Sequence, residues 1–344
     1  MEDATGERAA GPGGAGPDRP FGVAFLVVPG FSMLALSSAV EPLRSANRRM
    51  GVRRYDWRVV ACAPGPVPSG NGLELTAALG VREAPSADLT IAVASLDVED
   101  YREAAVFDWF RRLQGAGRLI GAISNGTLVL ARAGVLGARR VTVHWEMERR
   151  LAEEFPDLTV CPDLYCWDRG VLTAAGGTAA LDMMLALIAE RDGREVAADV
   201  AEQFLHGPPR DSTARQRQDV AWRYRVTDRR LISTLRLMEE RLSDPLRIGR
   251  IAEAVGISER QLERLFVARF GQSPSDFYMA LRLKAARGWL LTGSESLERI
   301  AERAGFSSTG HFSRSFKAWA GVSPSTLRRR GTDVGRVQEL GAER

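Results

Sequence analysis

Apolar positions follow two different rules along the chain. Up to about residue 206, short continuous apolar runs alternate with stretches of helical spacing; from residue 228 onward only helical spacing remains. Gly22–Val28 is a run of the kind buried on both faces of a parallel sheet, closed by Pro29-Gly30, and residues 32–49 then read as a helix. Trp57–Ala61, Leu89–Ala94 and Leu119–Ile123 read as further strands, with a helix predicted over Tyr101–Leu113 between the last two. Such alternation predicts an α/β sheet wound by crossover helices. After a more irregular stretch, Gly176-Gly177-Thr178 opens a helix to Ala189, and another covers about 194–205. His206-Gly-Pro-Pro-Arg-Asp-Ser-Thr213 breaks the pattern and begins a polar segment. The expected organisation is therefore a tail at 1–20, an α/β domain at 21–206, a linker at 207–226, an all-α domain at 227–330 and a second tail at 331–344. The first 20 residues are rich in Gly, Ala and Pro and lack both a basic start and an apolar core. They read as a disordered lead-in, not a signal peptide.

The all-α region contains an internal repeat. Ile251-Ala-Glu-Ala-Val-Gly256-Ile-Ser258 recurs as Ile300-Ala-Glu-Arg-Ala-Gly305-Phe-Ser307, Leu262-Glu-Arg264-Leu-Phe266 as Phe312-Ser-Arg314-Ser-Phe316, and Gly271-Gln-Ser-Pro274 as Gly321-Val-Ser-Pro324. The offset passes from 49 to 50, so one residue is inserted in the second turn. Each copy reads as a helix-turn-helix. A short helix buries Ile251 and Val255, or Ile300 and Ala304; Gly256 or Gly305 supplies the left-handed residue that ends it. Ser258, and Ser307 or Ser308, are suited to cap the helix that follows. That helix buries Leu262, Leu265 and Phe266 in the first copy, Phe312 and Phe316 in the second. Arg260, Glu263 and Arg264, or Thr309, Ser313, Arg314 and Lys317, are left facing outward. A basic helix start with small polar groups is what a major groove requires. Ser275–Leu291 reads as one long connecting helix with Phe277, Leu281 and Leu290 on its apolar side, able to hold both units for successive grooves roughly 34 Å apart.

Charge agrees with this division. Of the 47 basic and 43 acidic residues in the chain, residues 225–344 hold 22 and 14, a net +8; residues 1–224 hold 25 and 29, a net −4. The basic end is the one expected to meet a polyanion. The bias is partly compositional, since 45 of the 47 basic residues are Arg. Cys62, Cys161 and Cys166 form no even-numbered disulfide framework, and Cys161-x4-Cys166 lacks partners at zinc-finger spacing. No metal or cofactor is expected, and a reducing cytoplasm fits best. No apolar run approaches the ~18 residues of a membrane span.

In the first domain, Ile120-Gly-Ala-Ile-Ser124-Asn125-Gly126-Thr127 passes from an apolar strand into a helix over Leu128–Ala133. A side chain on such an elbow is exposed beside helix-end amides, which suits a nucleophile, and His144 in Val143-His144-Trp145-Glu146 would be its base. That reading makes the domain a hydrolase or acyl-transfer enzyme. Against it, Gly121 lies three residues before Ser124, which is not the G-x-S-x-G spacing, and Ser-Asn-Gly at a strand end is often a turn with a helix cap.

The segment Ala301-x-x-Ala304-Gly305-Phe306-Ser307-Ser308-x-x-His311-Phe312-Ser313-Arg314-x-Phe316-Lys317, closing with Gly321-x-Ser323-Pro324, resembles the AraC/XylS family of bacterial regulators over about 228–330. The resemblance implies promoter binding by both units, usually activation through RNA polymerase, and DNA contacts from Arg260, Glu263, Arg264, Ser308, Thr309, His311, Arg314 and Lys317. Residues 21–206 resemble the class I glutamine-amidotransferase-like sensor domain of GlxA-type regulators. That likeness rests on Val27-x-Pro29-Gly30-Phe31, Glu41-Pro42-Leu43-x-x-Ala46-Asn47, Asn71-Gly72, Ala131-x-Ala133-Gly134-x-Leu136, Val143-His144-Trp145-Glu146 and Leu172-Thr173-x-x-Gly176-Gly177-x-Ala179-x-x-Asp182. It implies a flavodoxin-like sandwich. Catalytic relatives carry a Cys at the elbow and an acid after the first strand; here Ser124 and Ala35 stand there, which implies a binding pocket without chemistry. The Glu41 and Asn71 segments look most like the branch that senses carnitine and glycine betaine. A quaternary ammonium needs an aromatic cage and a carboxylate, for which Trp57, Trp109, Trp145, Trp167 and Glu41 are candidates. Ser124, Asn125 and His144 complete the candidate ligand set, with amino acids and other small nitrogen compounds also open. The expected protein is a homodimeric activator; a Ser124/His144 hydrolase fused to a DNA-binding domain is the alternative.

Overall fold

The computed structural model describes residues 19–95, 98–217, 220–292 and 295–329, so residues 1–18 of the first expected tail and all of the second lie outside it. The chain divides into two compact units, Met1–Arg217 and Gln218–Arg344. The stretch expected as a linker is thus shared between them.

In chain order the first unit runs β1 (Phe21–Val27), α1 (Met33–Met50), β2 (Tyr55–Ala61), β3 (Gly65–Pro68), β4 (Glu74–Ala77), β5 (Leu79–Gly80) and β6 (Leu89–Ala94). It continues with α2 (Ala104–Gly115), β7 (Leu119–Ser124), α3 (Gly126–Arg132), β8 (Arg140–Val141), α4 (Glu148–Glu154), β9 (Thr159–Val160), β10 (Tyr165–Asp168), β11 (Val171–Ala174), α5 (Ala179–Asp192) and α6 (Arg194–Gln203). Seven strands form one sheet in the order β10-β11-β7-β6-β1-β2-β5, parallel except for β10. β6 is buried at every position, as its unbroken apolar run requires.

Because successive strand side chains point to opposite faces, β1 feeds two cores. Val23, Phe25 and Val27 join Leu36, Ala39 and Leu43 of α1 with the apolar residues of α5 and α6. Ala24 and Leu26 join Val106, Phe110 and Leu113 of α2, Leu128 and Leu130 of α3 and Leu151 of α4. The helix expected over Tyr101–Leu113 instead begins at Ala104, after a single tight turn at Val98–Asp100. Part of the resemblance proves structural. Asn47 clamps the start of β2: its Nδ2 donates to the Tyr55 carbonyl and its Oδ1 accepts from the Tyr55 N–H, both at 2.8 Å. Asn71 Oδ1 accepts from the Leu73 N–H and the Ser69 hydroxyl, closing the turn between β3 and β4.

The second unit contains α7 (Val220–Arg223), α8 (Arg229–Glu240), α9 (Ile248–Val255), α10 (Glu259–Phe270), α11 (Pro274–Thr292), α12 (Leu297–Arg303) and α13 (Thr309–Ala320), followed by a helical turn at 324–329. It has two small cores. Leu235, Met238, Ile251, Leu262, Phe266 and Phe277 form one; Leu283, Ala286, Leu290, Ile300, Phe312 and Phe316 form the other. The long helix α11 belongs to both.

Gly256 and Gly305 both end a first helix with positive φ, 76° and 71°. A Cβ at Gly256 would meet nothing within 4 Å, whereas one at Gly305 would lie 2.6 Å from Pro245 Cδ and 2.7 Å from the Leu242 carbonyl oxygen. Gly256→Ala is therefore expected to cost about 1 kcal/mol through backbone strain alone. Gly305→Ala adds overpacking and should cost about 2–4 kcal/mol. Urea titration of the two variants checks this; equal losses would mean that the Pro245 segment yields freely.

Candidate DNA interface and ligand site

The second helix of each repeat is fixed by a pair of aromatic or aliphatic side chains four residues apart. Leu262 and Phe266 in α10, and Phe312 and Phe316 in α13, are completely buried. A helix anchored along one stripe must present the opposite stripe outward. Arg260, Glu263 and Arg264 are exposed on α10, and His311, Arg314 and Lys317 on α13; Thr309 is half-buried. Val255 and Leu265, expected inside, are only half-buried.

Capping sets where each helix begins. Ser258 accepts from the Gln261 N–H while Gln261 Oε1 accepts from the Ser258 N–H, a reciprocal capping box. In the second copy the cap is Ser308, which accepts from the His311 N–H, and not Ser307. The inserted residue is absorbed in this turn. The His311 ring meets Phe306 edge-on with centroids 5.2 Å apart, so it supports the turn as well as lying on the exposed side.

Most surface arginines of this unit are engaged. Arg223 pairs with Glu239 and Arg250 with Glu253, and Arg282 donates to the carbonyls of Ala304 and Gly305 while covering the Phe306 ring. Burial lowers the pKa of Arg282 from its usual value. Among the described residues, Arg260, Arg264, Arg314 and Lys317 have no hydrogen-bond or ion-pair partner in the protein. Side chains left unpaired in this way are free to meet phosphates and base edges.

In the first unit, Ser124 ends β7 with φ 59°, a conformation that a non-glycine residue adopts only when its surroundings enforce it. β6 pairs along its whole length, and the Asn125 N–H donates to the Ala94 carbonyl, which fixes the elbow. Gly176, at φ 108°, leaves room for it: a Cβ there would lie 2.7 Å from Ser124 Cβ. Asn125 Nδ2 donates to the Ser95 carbonyl at 2.7 Å, while its buried Oδ1 has no partner among the described residues. The elbow sits at the carboxyl ends of β6 and β7, close to where the sheet order reverses between β6 and β1, the crevice where open α/β sheets bind ligands.

His144 shares no hydrogen bond with Ser124. Its ion-pair neighbour is Glu146, with Nδ1 to Oε2 at 3.6 Å, and burial holds its imidazole below the ordinary histidine value. Trp145 is 40% exposed, beside the His144 ring at 5.5 Å, with the Arg217 guanidinium 4.7 Å from its own ring centre. Glu41 pairs with Arg44 on the outer surface of α1 and is not bonded to the elbow residues. Trp109 is buried in the core with Phe110, Trp57 and Trp167 are half-buried against the other core, and Trp145 is the most exposed of the cage candidates.

The neighbouring polar cluster has no counterpart in any sequence motif. Gln216 Nε2 lies within 3.2 Å of Thr142 Oγ1, the carbonyls of Val143 and Asp163, and Glu148 Oε1. Leu164 donates to the carbonyls of Ser212 and Ala214, and Asp163 bridges Arg215. Further back, the fully buried Asp182 receives the Arg210 backbone and guanidinium and contacts His206 Nε2 at 3.1 Å. Residues 206–217 are thus strapped along the first unit by side-chain bonds of His206, Arg210 and Gln216 together with backbone bonds at Asp163 and Leu164, all between positions far apart in the sequence.

Two family models match the chain. Residues 22–190 match the DJ-1/PfpI family and residues 251–330 a helix-turn-helix domain. The chain is 39% identical to the HTH-type transcriptional regulator CdhR of Pseudomonas aeruginosa, over 88% of this chain and 89% of that one. It is 37% identical to the HTH-type transcriptional regulator GlxA of Rhizobium meliloti, over 90% and 95%. A crystal structure of an AraC family transcriptional regulator from Pseudomonas putida aligns with 54% of this chain and all of its own, with a TM-score of 0.51 and 27% identity. No helix among the described residues is long and apolar enough to cross a membrane.

Burial pushes the Glu148 carboxyl up to about 7, against an opposing pull from Arg217. The folded chain therefore takes up this proton more readily than the unfolded one, and the resulting stability is complete below about pH 4.5 and lost as pH rises through about 7. Glu148→Gln should remove that loss. Thermal unfolding from pH 5 to 8 is expected to show the variant gaining on the parent as pH rises; parallel curves would mean that Glu148 is as free in the folded chain as in the unfolded one.

Proposed function

The chain belongs to the AraC-type transcription regulators that carry a DJ-1/PfpI-like domain, and on that premise we propose that it is a cytoplasmic, metabolite-responsive activator acting as a homodimer. The observation that carries this reading is the pair of capped helices whose exposed arginines are unpaired within the protein. Arg260, Glu263 and Arg264 read one groove; Ser308, Thr309, His311, Arg314 and Lys317 read the next. Arg264 and Arg314 supply the strongest contacts, and the bound activator recruits RNA polymerase.

The first unit binds its effector without turning it over. Among the described residues no base is bonded to Ser124, and the carboxylate beside His144 is a surface one. The elbow offers a hydroxyl at Ser124 and a free acceptor at Asn125 Oδ1. Trp145 already carries a cation on its face, so a quaternary ammonium such as glycine betaine or carnitine can take the place of Arg217 there. Arg217 is the last residue of the strap, which gives effector binding a direct handle on the segment leading to the DNA-binding unit.

Arg264→Ala and Arg314→Ala should each weaken specific promoter binding by about 1–3 kcal/mol in gel-shift titrations at matched salt. Unchanged affinity in both would remove this interface. Calorimetry with glycine betaine and carnitine should show binding that Trp145→Ala weakens several-fold while Ser124→Ala leaves no catalysis to lose. Binding indifferent to Trp145→Ala, or a response to amino acids alone, would overturn the quaternary-ammonium assignment.

A further inference from the structure

Two of the three cysteines lie together at the anchor of the strap. Cys161 follows β9 and Cys166 lies within β10, both buried and both reduced. Their sulfurs face consecutive carbonyls of β8: Cys161 Sγ donates to Val141 at 3.3 Å and Cys166 Sγ to Arg140 at 3.4 Å. The two thiols also interact directly with one another, and the Arg140 guanidinium, paired with Asp163, stands beside both. The Cys166 S–H holds Cys161 below the ordinary thiol value, while Cys166 itself is pushed up. One sulfur is thereby prepared as a nucleophile and the other as its proton-bearing partner. Cys62 presents the opposite case. It is more exposed, but burial and the Glu103 carboxylate raise its thiol, so it is a poorer nucleophile than Cys161.

The four residues that these cysteines bracket include the ones that hold the strap. The Leu164 N–H donates to the carbonyls of Ser212 and Ala214, Asp163 bridges Arg215, and the Asp163 carbonyl accepts from Gln216.

We propose that Cys161 and Cys166 form a reversible disulfide, and that its formation loosens residues 212–216 from the first unit. With hydrogen peroxide as oxidant, the Cys161 thiolate attacks one peroxide oxygen, the O–O bond breaks, and the departing hydroxide takes up a proton to leave as water. The Cys166 sulfur then attacks the Cys161 sulfenic acid; the S–O bond breaks and the hydroxyl departs with the Cys166 proton as a second water. Two thiols lose two electrons and two protons, and one peroxide becomes two waters. Both S–H bonds to β8 are given up, and the two ends of the loop are drawn together around Asp163 and Leu164.

The test uses the full-length chain under native conditions. Peroxide should lower the titratable thiols from three to one, with peptide mapping recovering a Cys161–Cys166 link and dithiothreitol restoring all three. The Cys62→Ser protein should behave the same way, and Cys166→Ser should stop at a sulfenic acid that dimedone traps on Cys161. In the oxidised wild-type chain, trypsin should cleave after Arg215 several-fold faster than in the reduced one. Three thiols surviving peroxide in the folded chain, or a link to Cys62, would overturn the site. A Cys161–Cys166 link with unchanged cleavage after Arg215 would overturn its coupling to the strap.

Discussion

The candidate DNA surface of this protein is determined from the inside. Leu262 with Phe266, and Phe312 with Phe316, are each one helical turn apart and wholly buried, which fixes the rotation of α10 and α13 about their own axes. Once that rotation is set, Arg260 and Arg264, or Arg314 and Lys317, have no choice but to face solvent. Burying a Leu or Phe side chain is worth about 1.5–3 kcal/mol, far more than any exposed ion pair could return by turning the helix the other way. The apolar anchors thus hold the arginines in an unpaired state that the protein alone would not favour.

How much of this was legible in the sequence depended on how each element is made. The repeat was readable because its signals are local: a glycine with positive φ, a serine cap and two apolar residues at helical spacing, given twice. β1, β6 and β7 were readable because they are buried on both faces and therefore continuously apolar. β8 to β11 passed as irregular chain, since strands of two to four residues are too short to show a period. The choice between Ser307 and Ser308 as cap depended on how one inserted residue is accommodated, which is a property of the turn's geometry.

The ligand site was the least legible part. Ser124 announced itself by the strand-to-helix passage, but its partners did not. Trp109 and Trp145 look alike in sequence, and only packing separates a core side chain from one with a free face. Asn47 and Asn71, which carried much of the resemblance in that region, serve the backbone of β2 and of the β3–β4 turn. Gln216, Arg217 and Glu148 became neighbours of Trp145 and His144 only because residues 206–217 lie along the first unit, and that placement is held by contacts between positions too far apart in the sequence for any local pattern to record.

The long helix α11 gives its first half to one small core, through Phe277 and Tyr278, and its second half to the other, through Leu283, Ala286 and Leu290. It is consequently a phase-setting axle. Each residue of an α-helix advances about 1.5 Å and turns about 100°. A deletion or insertion of a single residue between Tyr278 and Leu283 would swing one recognition helix by more than a quarter of a circle against its twin, at the cost of displacing Met279, Leu281 or Arg282 from the packing they make there. The length of that short interval is therefore a constraint on which spacing of DNA half-sites the protein can address.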